Sequence, residues 1–211
     1  EGKMNSNDIK GGISNDKMGS TKIDLSTKTE AEDGKVYFSY EDIHSAVESM
    51  VPSLAEFKPT VIIAIGGGGF IPARILRTQL KVPILAISLE LYDDETNTTR
   101  EQVKCLQWFN TSAGPGALVD GGNVLIVDEV DDTRTTLQYC VEELLRKCKP
   151  AKVGVVVVHN KLKEKRGTLP ENVEYFAGQD VPDKWNCYPW DAAAYGRDIQ
   201  EHEAISRKCS S

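Results

Sequence analysis

The chain has 211 residues, of which 40% are hydrophobic, so it can bury one sizeable core and we expect a single folded domain. Its formal net charge of −7 argues against nucleic-acid binding, because that function requires a strongly basic face. Five cysteines without a Cys-x-x-Cys pair argue against a disulfide framework or a zinc site, and no apolar run approaches a membrane span of about 18 residues, so we expect a cytosolic protein.

Residues 1–35 differ in composition from the rest of the chain. They are rich in Gly, Ser, Asn, Asp, Lys and Thr and contain almost no large apolar side chains. Such a segment cannot bury enough apolar surface to offset the entropy lost on ordering. The composition therefore predicts a disordered N-terminal tail, followed by one domain over residues 36–211.

The apolar pattern after residue 35 predicts alternating helices and strands. Order begins at Val36, and helical spacing behind Ser39 as N-cap predicts a helix over residues 40–55. The later elements are a strand at 61–65, a helix at 72–80, strands at 82–91, 103–109 and 124–127, a helix at 137–147 and a strand at 152–159. Because the strands are continuous apolar runs, we predict an α/β fold with a mainly parallel, twisted sheet flanked by helices.

Four consecutive glycines, Gly66 to Gly69, follow the strand at 61–65 and precede a helix; we call them the glycine loop. Without side chains, this loop offers backbone N–H groups to a ligand, which suits an anion. The alternative is a flexible turn without a ligand.

Acidic residues are concentrated at the end of the strand at 124–127. They are Asp128, Glu129, Asp131 and Asp132. Hydroxyl groups and a guanidinium follow at the start of the next helix, in Thr133, Arg134, Thr135 and Thr136. Since ligands bind at the carboxyl ends of strands in open α/β sheets and a helix N-terminus favours an anion, the pattern indicates a sugar phosphate with a magnesium ion. The alternative is a solvated acidic loop before an ordinary capped helix.

This stretch resembles the signature of the type I phosphoribosyltransferases, in which a hydrophobic strand is followed by two acids, two spacers and an Asp-Thr phosphate loop. The resemblance implies that Asp128 and Glu129 hold the ribose of phosphoribosyl pyrophosphate (PRPP) and a magnesium ion. It also places Asp132 beside purine N7, as general base or as the group that stabilises the departing proton. It assigns the 5′-phosphate to residues 132–136, which we call the phosphate loop. Asp131 falls on a spacer position, and Arg134 stands where many members have glycine.

The glycine loop resembles the pyrophosphate loop of purine phosphoribosyltransferases, which implies that Gly66, Gly67 and Gly68 bind pyrophosphate. Family members commonly have a cis peptide here, which we place near Gly66–Gly67, and a Lys or Arg where this chain has Gly67. Arg197 matches a pyrophosphate-binding arginine of the hypoxanthine–guanine enzymes and would supply the missing charge.

The C-terminal part carries the residues that the resemblance assigns to the base. Lys161 would donate to the 6-oxygen of an oxopurine, and Trp185 would stack on the ring. Asn186 lies where C2 substituents are recognised, and Asp191 would assist in purine and magnesium binding. The alternative for Trp185 is a place in the core. The resemblance also implies a small hood subdomain built from about residues 160–200.

The polar loop at 92–101 resembles the mobile loop that closes over this family's reaction centre, although it equally fits an ordinary exposed loop. The likeness is strongest to fungal hypoxanthine–guanine phosphoribosyltransferases. It implies purine salvage with hypoxanthine, guanine or xanthine, with PRPP, pyrophosphate and a purine nucleoside monophosphate as ligands, Mg²⁺ as cofactor and a homodimer or homotetramer. Two other hypotheses are a PRPP- or nucleotide-sensing regulatory protein of the same fold and a response-regulator-like phosphatase.

Overall fold

The computed structural model describes residues 28–93 and 101–209. The tail prediction for residues 1–27, and most of the loop prediction at 92–101, lie outside these ranges. The helices and strands are β1 (Val36–Tyr37), α1 (Tyr40–Phe57), β2 (Val61–Gly66), α2 (Phe70–Leu80), β3 (Ile84–Asp93), β4 (Glu101–Gln107), β5 (Asn123–Asp131), α3 (Thr135–Lys147), β6 (Lys152–Leu162), β7 (Val173–Pro182), β8 (Asn186–Cys187) and α4 (Ile199–Lys208). Short 3₁₀ helices lie at Gly114–Leu118 and Pro189–Tyr195.

The first helix begins with the predicted cap. The Ser39 hydroxyl accepts from the Asp42 amide, and the Asp42 carboxylate accepts from the Ser39 amide, so two otherwise unpaired N–H groups are satisfied. The helix ends at Lys58, whose left-handed backbone donates to the Ala55 carbonyl. The apolar face with Ile43 and Leu54 is fully buried.

Six strands form the main sheet in the order β4-β3-β2-β5-β6-β7. Every neighbouring pair is parallel except β3 and β4, which are antiparallel. This confirms the predicted α/β fold with a mainly parallel sheet.

Successive side chains of the central strands point to opposite faces of the sheet, and each face has its own hydrophobic core. On one face, Ile62 and Leu125 pack with α1 and α2; on the other, Ile63 and Ile126 pack with α3. Both faces are covered, which explains why the central strands are continuous apolar runs rather than alternating ones.

Several elements extend beyond their predicted ends. Strand β5 continues to Asp131, so three of the four acids lie on the strand itself rather than in a loop after it. Strand β6 continues to Leu162, which places Lys161 on the strand. Helix α3 begins at Thr135 and α2 at Phe70, two residues before the predicted starts.

The C-terminal third contains elements that the apolar pattern does not predict. Strand β7 pairs with β6 in the main sheet, so the segment at 160–200 contains a main-sheet strand and is not as a whole a separate hood. Strand β8 pairs in parallel with β1, joining Val36 to Asn186 in a small second sheet. Helix α4 packs on β1 and on the 3₁₀ helix Pro189–Tyr195.

Residues 28–35 belong to the segment predicted as a tail, yet they pack against the domain. Lys28 forms an ion pair of 2.7 Å with Asp42, in which both side chains are buried, and also donates to the Ser206 hydroxyl at 2.6 Å. The Thr29 amide donates to the Cys209 carbonyl at 2.9 Å. The packed structure therefore begins before residue 36.

In the part of the chain that the structure describes, we find no helix with both the length and the apolar character of a membrane span.

Candidate active site

The candidate site lies at the carboxyl ends of three adjacent parallel strands, β2, β5 and β6. The glycine loop follows β2, the acids occupy the end of β5, and Lys161 lies near the end of β6. A pocket of about 200 Å³ is lined by residues 128–137. The parallel arrangement therefore brings the sequence-predicted groups to one edge of the sheet.

Asp128 and Glu129 form a crowded acidic pair. Asp128 is 8% exposed, and one of its oxygens accepts from the Glu129 amide at 2.9 Å. Burial raises the pKa of Asp128 well above its ordinary value, and the neighbouring charge of Glu129 raises it further. Negative charge here is therefore costly in the absence of a compensating cation.

Glu129 also connects the acidic strand to the glycine loop. Its carboxylate lies so close to the Gly68 Cα that a methyl group there would overlap both oxygens. The acid pair that the resemblance assigns to ribose and the loop that it assigns to pyrophosphate are thus in direct contact.

Asp132 lies between two lysines. Its Oδ1 atom is 3.0 Å from Lys163 Nζ and 3.3 Å from Lys161 Nζ. Burial acts to raise the pKa of Asp132, but the hydrogen bond from Lys163 and the charge of Lys161 outweigh it, and the net pKa is lowered. Asp132 is therefore ionised at neutral pH and can accept a proton.

Asp131 is a buried anchor rather than a spacer. The residue is fully buried, and its Oδ2 accepts from Arg134 Nε at 2.9 Å and Arg134 Nη2 at 2.7 Å, and from the Tyr175 hydroxyl at 2.8 Å. The Arg134 guanidinium lies on this carboxylate, so its charge is directed at the protein. The backbone of Arg134 remains available to a ligand in the phosphate loop.

The threonines of the phosphate loop are partly exposed at the start of α3. The hydroxyls of Thr133 and Thr135 lie 3.0 Å apart, and no acidic side chain occurs in the first turn of the helix. Backbone N–H groups and the positive end of the helix dipole therefore meet hydroxyl groups here, which suits an anion.

Lys165 holds the backbone beneath this loop. Its Nζ donates to the carbonyls of Asp131 at 2.7 Å, Asp132 at 3.0 Å and Lys161 at 2.8 Å. The Gly167 amide adds a bond of 3.0 Å to the Thr133 carbonyl. The segment after β6 therefore holds the phosphate loop in place through hydrogen bonds to its backbone.

Lys163 and Lys165 were missed as site residues because a cluster of four basic residues resembles a solvated surface. A signal was nonetheless present. Lys163 and Lys165 follow Lys161 at every second position, directly after β6 ends at Leu162.

The four glycines differ in their surroundings. The predicted cis peptide is present between Gly66 and Gly67. A Cβ at Gly67 would meet nothing within 4 Å, whereas one at Gly69 would overlap the Val127 carbonyl oxygen and lie 2.7 Å from that of Ile65. Gly69 is therefore fixed by close packing onto the strand ends, and Gly67 is not.

The residues assigned to the base differ in exposure. Trp185 is 62% exposed, with only a 3.4 Å contact from its ring nitrogen to the Tyr195 hydroxyl, so it is available for stacking and is not part of the core. Asn186 is 9% exposed and lies in β8, which makes it a poor contact for a ligand in this conformation. Asp183 pairs with Lys163 at 3.0 Å and so connects the Trp185 loop to Asp132.

Asp191 and Arg197 lie in the C-terminal part of the site region. Burial raises the pKa of Asp191, and the charge of Glu129 contributes, so the two acids are within electrostatic reach. Arg197 is 3.6 Å from the Asp33 carboxylate and lies over the Tyr37 ring at 5.3 Å. The Arg197 side chain also donates to the Tyr195 carbonyl at 3.3 Å, so its described contacts are with the N-terminal segment and Tyr195 rather than with the glycine loop.

His159 is fully buried on β6. Its Nδ1 is 2.8 Å from the Tyr188 hydroxyl, and its ring stacks on Phe38 at 3.9 Å. Burial lowers its pKa to about 3, so the ring is neutral at physiological pH. The Tyr188 hydroxyl also lies 3.5 Å from the Glu129 carbonyl, which ties this stack to the acidic pair.

The acids fit a magnesium ion. Among residues 28–93 and 101–209, no group of three or more His, Cys, Asp or Glu side chains forms a metal cage. Mg²⁺ does not need one, because it is usually bound by one or two carboxylates together with waters and substrate phosphates. The raised pKa of buried Asp128 beside Glu129 is the property expected where a cation completes the site.

Comparison with known proteins agrees with this geometry. The family described as "Phosphoribosyl transferase domain" matches residues 39–194. The hypoxanthine-guanine phosphoribosyltransferase of Schizosaccharomyces pombe is 44% identical over 81% of this chain and 93% of that protein. Xanthine phosphoribosyltransferase 1 of Saccharomyces cerevisiae is 40% identical over 84% of this chain and 97% of that protein.

A solved structure of a related protein has a similar fold over most of this chain. It is titled as a hypothetical protein from Neisseria gonorrhoeae with bound ppGpp, and it is 42% identical with a TM-score of 0.73, covering 82% of this chain and 95% of that one. The family match spans β2, β5 and β6 and the loops at their carboxyl ends. The chain therefore belongs to the phosphoribosyltransferase family.

Proposed function

We propose that this protein transfers the 5-phosphoribosyl group of PRPP to an oxopurine, giving a purine nucleoside 5′-monophosphate and pyrophosphate. The observation that carries the proposal is Asp132, an ionised acid held between Lys161 and Lys163 in the same pocket as Asp128 and Glu129. The names of the related fungal enzymes support hypoxanthine, guanine and xanthine as the bases. No observation favours the sensor or phosphatase hypotheses.

In this proposal PRPP spans the two loops. The 5′-phosphate lies on the phosphate loop, where Thr133, Thr135 and Thr136 offer hydroxyl and N–H groups and Arg134 offers its backbone. Asp128 and Glu129 hold the ribose hydroxyls. Pyrophosphate lies on Gly66, Gly67 and Gly68, and Arg197 reaches it after leaving Asp33.

The purine lies between Trp185 and the end of β6. Exposed Trp185 stacks on the base, which supplies affinity without selecting among purines. Lys161 donates to the 6-oxygen; since an ammonium has no acceptor, it disfavours the 6-amino group of adenine. Because Lys161 is bound to Asp132 in this structure, the incoming base competes for it. Asn186 contributes to C2 recognition only after a local rearrangement.

Displacement of pyrophosphate builds positive charge on the ribose and negative charge on the leaving group. The acid pair stabilises the former, and the N–H groups of the glycine loop stabilise the latter. Asp132 accepts the proton that the attacking purine loses, and Lys163 keeps Asp132 ionised until then. Asp128, Glu129 and Asp191 would hold Mg²⁺, which when bound neutralises and orients the pyrophosphate.

Other parts of the proposal concern the hood and assembly. A hood, built from the small β1–β8 sheet, the 3₁₀ helix Pro189–Tyr195 and α4, carries Trp185 and Asp191. We further propose a homodimer or homotetramer in the cytosol, which light scattering and cell fractionation would test.

Purified protein with PRPP and Mg²⁺ should convert hypoxanthine, guanine or xanthine to the nucleotide and should leave adenine unchanged. Nucleotide and pyrophosphate should appear in equal amounts. Turnover of adenine alone would contradict the role of Lys161, and no turnover of any base would refute the transferase proposal. Omission of Mg²⁺ is the matched control and should abolish turnover.

A further inference from the structure

Arg134 has an unusual backbone for its position. Three non-glycine residues have positive φ angles in the described ranges: Lys58 at 54°, Lys81 at 57° and Arg134 at 67°. The two lysines follow the last residues of α1 and α2, where a left-handed residue commonly ends a helix. Arg134 instead precedes α3, where the capping residue is ordinarily extended. Side chains with a Cβ disfavour this conformation, so something must hold it.

The side chain of Arg134 supplies the restraint. Two of its nitrogens donate to the same oxygen of Asp131, at 2.9 and 2.7 Å, and the guanidinium lies over the Tyr175 ring at 4.9 Å. Tyr175 donates to that oxygen as well, and Lys165 lies 3.5 Å from the other. Because Asp131 is fully buried, this anchor point is fixed by the core.

The restraint also reaches the helix. The Arg134 carbonyl accepts from the Gln138 amide at 2.9 Å, which begins the hydrogen-bond ladder of α3. The orientation of the first N–H groups of α3 therefore depends on the backbone of Arg134. These N–H groups belong to the phosphate loop.

We propose that Asp131 and Arg134 form a tether that holds the phosphate loop in its anion-binding conformation, with Asp131 as a positioning residue. The tether replaces the conformational freedom of the glycine found here in many family members. This inference rests on the proposed function, since it names the 5′-phosphate as the ligand of the loop. It assigns Asp131 a role that a spacer would not have.

If the tether holds the loop, a second substitution, Arg134→Gly, should restore the ligand binding that Asp131→Ala weakens. Asp131→Ala leaves Arg134 in a disfavoured conformation without its anchor. Ribose 5-phosphate should therefore bind about tenfold or more weakly, and the KM for PRPP should rise by a similar factor, while kcat changes less. Arg134→Gly removes the side chain but leaves a residue that adopts the left-handed conformation freely, so its ribose 5-phosphate affinity is measured as the reference for the double variant and should exceed that of Asp131→Ala. The double variant Asp131→Ala/Arg134→Gly should therefore bind ribose 5-phosphate within about threefold of Arg134→Gly.

The matched control is Asp131→Ala/Arg134→Ala. Alanine removes the unpaired guanidinium but keeps the Cβ, so this variant should remain weak. Equal rescue by alanine would mean that the unpaired charge, not the backbone, causes the defect, and it would overturn the tether. Unchanged binding in Asp131→Ala would overturn it as well.

A folding defect is controlled by the melting temperature and by Asp131→Asn, which preserves shape. Asp131→Asn should remain folded and show the same direction of change in ribose 5-phosphate binding; wild-type binding in this variant would contradict the tether. The two proposals fail separately. Absence of ribose 5-phosphate binding and of PRPP turnover in the wild-type protein would refute the proposed function, whereas normal wild-type turnover with no Gly-specific rescue would refute only the tether.

Discussion

The two loops of the candidate site are shaped by opposite means. The glycine loop takes its form from missing side chains: Gly68 lies against the Glu129 carboxylate, and Gly69 packs onto the Val127 carbonyl. The phosphate loop is held by side chains that are present. Arg134 is anchored on Asp131, and Lys165 binds three carbonyls from beneath.

This difference predicts opposite sensitivities. Adding a methyl group at Gly68 or Gly69 should damage the glycine loop, whereas removing atoms should damage the phosphate loop. It also separates the chemistry, because the glycine loop can only bind, while Asp132 can move a proton. The following variants test the contrast.

Asp132→Asn should have the largest effect. The amide keeps the shape of the side chain but cannot act as a base, so kcat should fall about 10²- to 10⁴-fold, with the KM values for PRPP and base changing far less. Steady-state kinetics would measure this. Asp180→Asn, which changes an exposed acid bonded to Asn160, is the control and should be near wild type. An unchanged kcat would remove Asp132 from the mechanism.

Alanine substitutions along the glycine loop should give three distinct results. Gly69→Ala meets backbone oxygens and should destabilise the fold by about 1–3 kcal/mol. Gly68→Ala meets the flexible end of Glu129, so stability should hold while kcat/KM for PRPP falls about 10- to 100-fold. Gly67→Ala has open space and serves as the control. Thermal melting and kinetics would distinguish the three, and similar behaviour of all three would contradict the packing account.

Lys163→Gln should change the pH dependence rather than the maximal rate. Lys163 lowers the pKa of Asp132 while burial raises it, so loss of the lysine should raise that pKa. A base is lost when pH falls below its pKa, so the acid limb of the kcat/KM profile should move upward by about one pH unit. Lys152→Gln, which breaks an exposed contact of 3.8 Å with Glu174, should leave the limb in place. An unshifted limb in Lys163→Gln would show that Asp132 does not control it.

The central sheet could be predicted from the sequence, because β2, β5 and β6 are buried on both faces and are therefore continuous apolar runs. Helix α4 could not be predicted, since its fully buried side chains are the polar His202 and Ser206 and it carries no wide apolar stripe. Strand β7 is an edge strand of mixed polarity, and its sequence therefore lacks the pattern of a buried strand.

The site was predictable where consecutive residues carry it, as in the acids of β5 and the glycine loop. The contacts of Asp131 with Tyr175 and of Lys165 with the Asp131 carbonyl were not, because they join distant parts of the chain. Asp131 meets Tyr175 across 44 positions, and Lys165 reaches the Asp131 carbonyl across 34. A local pattern contains neither partner, so Asp131 reads as a spacer and Lys165 as a surface charge.

In the proposed complex a single PRPP molecule bridges two separate anion-binding loops. Calorimetric titration of pyrophosphate with Mg²⁺ into protein saturated with ribose 5-phosphate tests this most directly. We predict that pyrophosphate binds to the saturated protein with one equivalent per chain, because the two fragments occupy different loops. Mutual exclusion of the two ligands would place both on a single anion site and would contradict the account.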